Sequence, residues 1–258
     1  MRNIRLLIEY EGTHYAGWQA QAGHPTIQGK LAEAIEKLTG SPVNLTGASR
    51  TDAGVHAWGQ VANFKTASRI PLPGIIQALN SILPEDIVIK DAAEVPPDFD
   101  SRRNSNGKTY LYRVLNRRYP SSIMRNFTWF VYQPVDVDLM RKGAKHMIGE
   151  KDFSSFRAAD SDARHSIREV TSIEISEKPE GMIEFEVMGT AFLRHMVRIM
   201  VGTLVTLGKG KLKPDDIKTI IEAKNREAAA MTAPPQGLFL VKVEYAEEIA
   251  IRVEKSHK

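Results

Sequence analysis

The segment Arg50-Thr51-Asp52-Ala53-Gly54-Val55-His56 sets a carboxylate between an arginine and a pair of small residues, in a short polar turn with strand-like sequence on both sides. Two readings compete. An aspartate at a strand-to-strand turn often bonds its own backbone two residues on and is then only turn punctuation. It becomes a reagent if it is ionised, oriented and open to a ligand. Arg50 is close enough in sequence to hold the carboxylate ionised. Ala53 and Gly54 carry little bulk, so a ligand can approach the backbone. His56 and Trp58 bring hydrogen-bonding and stacking groups to the same turn. An ionised, oriented carboxylate can attack a sugar carbon or another electrophile. A glycosidase would need a second carboxyl roughly 5–10 Å away, and the motif supplies none.

Other chemistries lack support. His14, His24, His56, His146, His165, His195 and His257 form no H-E-x-x-H pair or comparable ligand spacing. There is no P-loop, no G-x-G-x-x-G and no G-x-S-x-G elbow. The absence of cysteine excludes disulfides and thiolate metal sites and makes a reducing cytosol the default home. The usual cofactor and hydrolase routes therefore have no support.

Charge points to an anionic partner. The net charge is only +4 over 258 residues, but its distribution is uneven. Between Phe99 and Asn126, Arg102, Arg103, Lys108, Arg113, Arg117, Arg118 and Arg125 face a single Asp100. Between Val187 and Pro214 there is no carboxylate, while Arg194, Arg198, Lys209, Lys211 and Lys213 are present. Two such stretches suit a surface that meets phosphates, although basic solvated faces would look the same. No apolar run reaches the ~18 residues of a membrane helix. The opening "MRNIRLLIEYEG" breaks at Glu9 and predicts a strand rather than a signal peptide.

The elements that must position Asp52 follow from pattern. "IRLLIEY" predicts a strand. "PTIQGKLAEAIEKLTG" predicts a helix capped by Thr26 and closed by Gly40. "VNLTGAS" and "GQVANFK" predict strands on either side of the Asp52 turn, "PLPGIIQALNSIL" a helix and "IVIKDAAEV" a strand. This β-α-β-β-α-β order is that of a ferredoxin-like half. "VPPDFDSRRNSNG" breaks regular structure and divides a lobe at 1–104 from a second at 105–258. Beyond it, "KTYLYRVLN" predicts a strand and "DVDLMRKGAKHMIG" a helix capped by Asp138 and stopped by Gly149. "VTSIEISEK" and "MIEFEVMG" predict a hairpin around "PEG". "AFLRHMVRIMVGTLVTLG" and "KPDDIKTIIEAKN" predict helices, and "GLFLVKVEYA" a final strand. The fold class is α+β: two ferredoxin-like halves forming a mixed, mainly antiparallel sheet, helices on one face, with a basic cleft suited to RNA.

The segment "RTDAGVHAWGQVANF" resembles the catalytic segment of the tRNA pseudouridine synthase A family. "EYEGTHYAGWQAQ", "DFSSFRA", "AFLRHMVRIMVG" and "APPQGLFLVKVEY" resemble further blocks of that family, in its order, from about Glu9 to Tyr245. The resemblance implies a homodimer that isomerises uridine to pseudouridine at positions 38 to 40 of the tRNA anticodon stem-loop, without metal or cofactor. Asp52 aligns with the essential aspartate. Tyr110 aligns with the tyrosine that stacks on the target base and is placed for proton removal. Arg198 aligns with the arginine paired to the aspartate. Arg50 aligns with the motif arginine that contacts RNA and helps fill the space left by the flipped nucleotide, and Leu240 falls in the strand that packs around the base. His56 is a further candidate for substrate binding. Ser49 stands where many members have glycine, Asp100-Ser101 where His-Ala is common, and Gly107-Lys108 where basic residues often run together. Two other readings predict different products: a non-catalytic RNA-binding protein yields none, and a glycosylase using Asp52 releases free uracil.

Overall fold

The computed structural model describes residues 1–160 and 163–246. His257 and the end of the expected second lobe lie outside the described residues. In chain order the elements are β1 (Arg2–Tyr10), α1 (Ile27–Thr39), β2 (Thr46–Gly47), β3 (His56–Thr66), α2 (Leu72–Ile82), β4 (Ile87–Val95), β5 (Ser105–Asn116), β6 (Trp129–Val131), α3 (Val137–Ala144), β7 (Gly149–Asp152), β8 (Ile167–Lys178), β9 (Met182–Gly189), α4 (Met196–Gly208), α5 (Asp216–Ala223) and β10 (Leu238–Tyr245). The chain forms two compact units, one from Met1–Gly107 with the chain from Leu240 onward, the other Lys108–Phe239.

In the first unit β1 lies between β4 and β3, antiparallel to both, with Ile4 opposite Phe64 and Arg5 opposite Ala93. Ile4, Leu6, Ile8 and Tyr10 are buried at alternate positions, the period that puts one face of a strand into a core. β2 pairs with β3, and β10 also neighbours β3. The β4-β1-β3-β2 order with two crossover helices is the ferredoxin-like arrangement. α1 buries Ile27, Leu31, Ala34 and Ile35. The Thr26 side chain accepts from Gly29 N–H at its start, and Gly40 ends it in the left-handed region at φ 73°.

In the second unit β5 pairs antiparallel with β9, β9 with β8, and β8 with β7. β6 runs parallel to β5, which makes the strand pairing mixed though mainly antiparallel. β8 and β9 form the expected hairpin around Pro179–Gly181. α4 is buried almost all round: Met196, Val197, Ile199, Met200, Val201, Leu204, Val205 and Leu207 are all core side chains. Such a helix is held by its surroundings rather than by an amphipathic stripe.

Four expectations change. β2 is two residues, not the seven of "VNLTGAS": only Thr46 and Gly47 pair with β3, and Ala48 N–H still donates to Val61 O beyond them. α3 is capped by Asp136, whose carboxylate accepts from Leu139 N–H at 2.9 Å; Asp138 is already in the first turn and pairs with Arg141. α4 begins at Met196 rather than Ala191, because His195 stands at φ 61°, outside the helical region. The short β6 and β7 escape a pattern reading because three or four residues carry too little periodicity. Among the described residues no helix is long and apolar enough to cross a membrane.

Candidate active site

Asp52 occupies a tight turn at the entry to β3. Val55 N–H donates to Asp52 O at 3.2 Å, and Gly54 takes φ 75°, a conformation that glycine adopts at little cost. Asp52 is partly exposed, Ala53 and Arg50 are exposed, and Thr51 is buried. The residues on either side of Thr51 are thus at least partly open to solvent on a backbone fixed beside them.

The fixing contacts come from three directions. From β1, Tyr10 Oη lies 2.8 Å from Thr51 Oγ1. From β3, the Gln60 amide donates to Ser49 O at 2.8 Å and accepts from Ser49 N–H at 3.2 Å. From the loop after β1, Trp18 N–H donates to Thr51 O at 3.0 Å. That loop approaches because it carries glycine where it touches the turn. A Cβ on Gly17, which stands at φ 96°, would lie 2.6 Å from Thr51 O, and one on Gly12 would lie 2.0 Å from Val55 O. The loop is itself anchored at Tyr15, whose hydroxyl donates to Asp86 at 2.6 Å. Burial, then the Asp86 carboxylate, push the Tyr15 phenol above its ordinary range, so it remains a donor.

His56 is buried at 1% exposure, and its Nδ1 accepts from Gly12 N–H at 3.0 Å. When neutral it therefore carries its proton on Nε2. Arg50, Asp52 and His56 thus share one turn of the first unit, with Arg50 outward and His56 inward. Leu240 is fully buried at the point where β10 enters that unit. Trp18 is buried against Gly47, where a Cβ would come within 2.4 Å of its ring.

Tyr110 and Arg198 belong to the second unit. Tyr110 sits on β5 opposite Val187 and meets Phe192 edge-on, with centroids 5.2 Å apart. Arg198, half-buried in the first turn of α4, donates from Nε to Ala233 O at 2.8 Å, while Ala233 N–H donates back to Arg198 O at 3.1 Å. The first contact orders the arginine side chain, which has several rotamers to lose, and the second ties the backbone of Arg198 to the same residue. Tyr112 is buried beside it and donates to Pro234 O at 2.7 Å. Burial pushes its phenol up, and the Arg198 charge opposes that shift.

The departures at Asp100 and Ser101 have local roles. The Asp100 carboxylate accepts from the N–H groups of Arg102 and Arg103, both at 2.9 Å, in a turn that leaves both arginine side chains exposed. Ser101 is fully buried and ties the loop to Thr46 O at 2.7 Å. Tyr10, Tyr15, Gln60 and Asp86 were not found from sequence. Gln60 left a trace only as one of two polar residues, with Asn63, in the strand segment "GQVANF".

A family model described as tRNA pseudouridine synthase matches residues 6–102 and 144–246. The curated tRNA pseudouridine synthase A of Acetivibrio thermocellus is 47% identical over 245 residues, 95% of this chain and 100% of that protein. The protein of the same name from Caldicellulosiruptor bescii is 49% identical over the same length and shares of the two chains. Among solved structures, a chain of a Cbf5-Nop10-Gar1 complex aligns with a TM-score of 0.39 and 13% identity over 92% of this chain and 48% of that one, too slight a likeness to carry argument.

Proposed function

The chain belongs to the tRNA pseudouridine synthase family, isomerases that act on tRNA, and we propose that it converts uridine to pseudouridine at positions 38, 39 and 40 of the anticodon stem-loop, with Asp52 as nucleophile or base. The observation that supports this reading most is the Asp52 turn: a partly exposed carboxylate on a backbone held at Ser49, Thr51 and Gly54. Fixed turns with an outward acid suit a reaction that depends on aim.

A stem uridine is stacked and usually paired, so it must be extruded at a cost of a few kcal/mol. Phosphate contacts from the two basic stretches offset that cost without reading sequence. Arg50, outward beside Asp52, fills the space the nucleotide leaves. Tyr110 stacks on the freed base, a contact worth ~1–3 kcal/mol. Asp52 then acts, by attack at C1′, by removal of the 2′ proton to give a glycal, or by attack at C6 of the base. In each route the C1′–N1 bond breaks, the uracil turns and a C1′–C5 bond forms. The C5 proton leaves, with Tyr110 placed to take it, and N1 gains one. Arg198 serves as the counter-charge to the aspartate. His56 serves substrate binding through the loop it holds at Gly12, and Leu240 by lining the apolar side. On this reading the lobe 1–104 carries the acid, 105–258 carries Tyr110 and Arg198, and the enzyme works in the cytoplasm as a homodimer with no cofactor.

The test is to incubate the protein with unmodified tRNA and measure pseudouridine and released uracil together. Pseudouridine without uracil is expected, and Asp52→Asn should abolish it while tRNA still binds. Released uracil would mean a glycosylase. Binding without either product would mean an RNA-binding protein. Near-normal turnover by Asp52→Asn would remove the acid from its role.

A further inference from the structure

β2 stops after two residues although the sequence on both sides of Gly47 is strand-like, and the reason lies in one side chain. The pairing runs Thr46 opposite Asn63 and Gly47 opposite Ala62, and Ala48 N–H still donates to Val61 O at 2.8 Å. At the next step the Gln60 carboxamide enters between the two segments. Its Oε1 accepts from Ser49 N–H and from Val61 N–H, both at 3.2 Å, and its Nε2 donates to Ser49 O at 2.8 Å. Val61 N–H thus spends its bond on a side chain of its own strand, and Ser49 has a carboxamide where it would otherwise have a strand. Gln60 is fully buried, so these groups have no water to turn to. Its Nε2 also lies 3.5 Å from Tyr10 Oη, the group that holds Thr51.

We infer that Gln60 is the positioning residue of the reaction: its carboxamide is a wedge that peels the chain off β3 at Ser49 and so sets where the Asp52 carboxylate stands. This rests on Asp52 being the reacting acid. The wedge needs a donor and an acceptor in one planar group. A carboxylate offers only acceptors and would face Ser49 O with a like partial charge; a protonated carboxyl has one of each. An apolar side chain of the same length has neither, and takes from Ser49 N–H, Ser49 O and Val61 N–H the carboxamide atoms they bond.

Three readouts separate this from a merely structural role. Gln60→Met is expected to fold and to bind tRNA with KM little changed, while kcat falls about 100-fold, the scale on which a misplacement of roughly 1 Å acts. Gln60→Glu is expected to be equally slow at pH 8 and to recover relative to wild type as pH falls, because burial holds its carboxyl protonated well above the ordinary range; Gln60→Met should show no such recovery. Hydrogen exchange at Ser49 N–H should become faster in Gln60→Glu at high pH and return toward wild type with activity. Wild type that makes no pseudouridine overturns the proposed function, and the exchange readout still judges the wedge. Wild type that is active, with Gln60→Met retaining kcat or Gln60→Glu showing a flat ratio across pH, overturns the wedge alone.

Discussion

Around Asp52 the backbone is held by polar side chains and by glycines. Tyr10, Gln60 and His56 each bond main-chain or hydroxyl groups of the turn or of the loop against it, and Gly12 and Gly17 let that loop come within van der Waals range. Around Arg198 the backbone is held by apolar mass. α4 buries eight aliphatic or methionine side chains, and the guanidinium of Arg198 donates from Nε to Ala233 O. The two regions therefore differ in what a mutation should do. Hydrogen bonds have direction but contribute little net stability, about 1 kcal/mol each. Apolar burial contributes more, roughly 1.5–3 kcal/mol for a buried leucine, with little direction. Lesions near Asp52 should cost rate out of proportion to stability, and lesions in α4 the reverse.

Leu204→Ala should have the largest effect on stability. The side chain is 1% exposed, and truncating such a leucine costs about 3 kcal/mol. Denaturant unfolding should show it, while kcat of the folded fraction stays near wild type. A large fall in kcat would break the contrast. Gly17→Ala comes next. A left-handed backbone and a 2.6 Å approach to Thr51 O make a cost of about 2 kcal/mol expected, with kcat down about 100-fold. If Gly17→Ala loses stability but keeps its rate, the turn tolerates displacement and the geometry argument fails. Tyr10→Phe removes the hydroxyl that lies 2.8 Å from Thr51 Oγ1 and 3.5 Å from Gln60 Nε2. About 1 kcal/mol of stability should go, together with a fall in kcat but not in tRNA affinity; unchanged kcat would exclude Thr51 from the clamp.

The same contrast decides what could be read from the chain. α1 and its caps were legible because Ile27, Leu31 and Ile35 recur at helical spacing, and Thr26 and Gly40 are types that caps require. α4 was legible as an apolar run, though its start was not: nothing in "FLRHM" announces that His195 takes a left-handed conformation. The Asp52 turn itself stood out through its residue types. What holds it did not, because side chain-to-backbone bonds between Gln60 and Ser49, or Tyr15 and Asp86, join residues 11 and 71 positions apart and leave no period in the sequence. The strand expected at "VNLTGAS" ends short of Ser49 in keeping with this: β propensity is a preference for a pleated neighbour, and at Ser49 the neighbour is a carboxamide.

The smallest effect concerns a carboxylate of the second unit that is held by polar contacts, as the Asp52 turn is, yet lies outside the proposed chemistry. Asp152 accepts from Ser154 Oγ at 2.6 Å and from Ser154 N–H at 3.0 Å, and Lys224 lies 3.3 Å away. The Ser154 hydroxyl has the largest effect on its carboxyl and burial, which opposes it, the next; with the Ser154 N–H and Lys224 also lowering it, the carboxyl stands below the usual value of 3.8. A depressed folded pKa makes the contribution to stability fully present above the unfolded value and lost as pH falls through the folded one. Stability should therefore drop on the acid side of pH 3.8 by an amount on the order of 1 kcal/mol or less, given the partial exposure of the pair. Ser154→Ala should flatten that part of the stability curve and leave kcat at neutral pH unchanged. An altered kcat would mean that polar contacts of this kind transmit to the chemistry wherever they lie, and that the Asp52 turn is not special in depending on them.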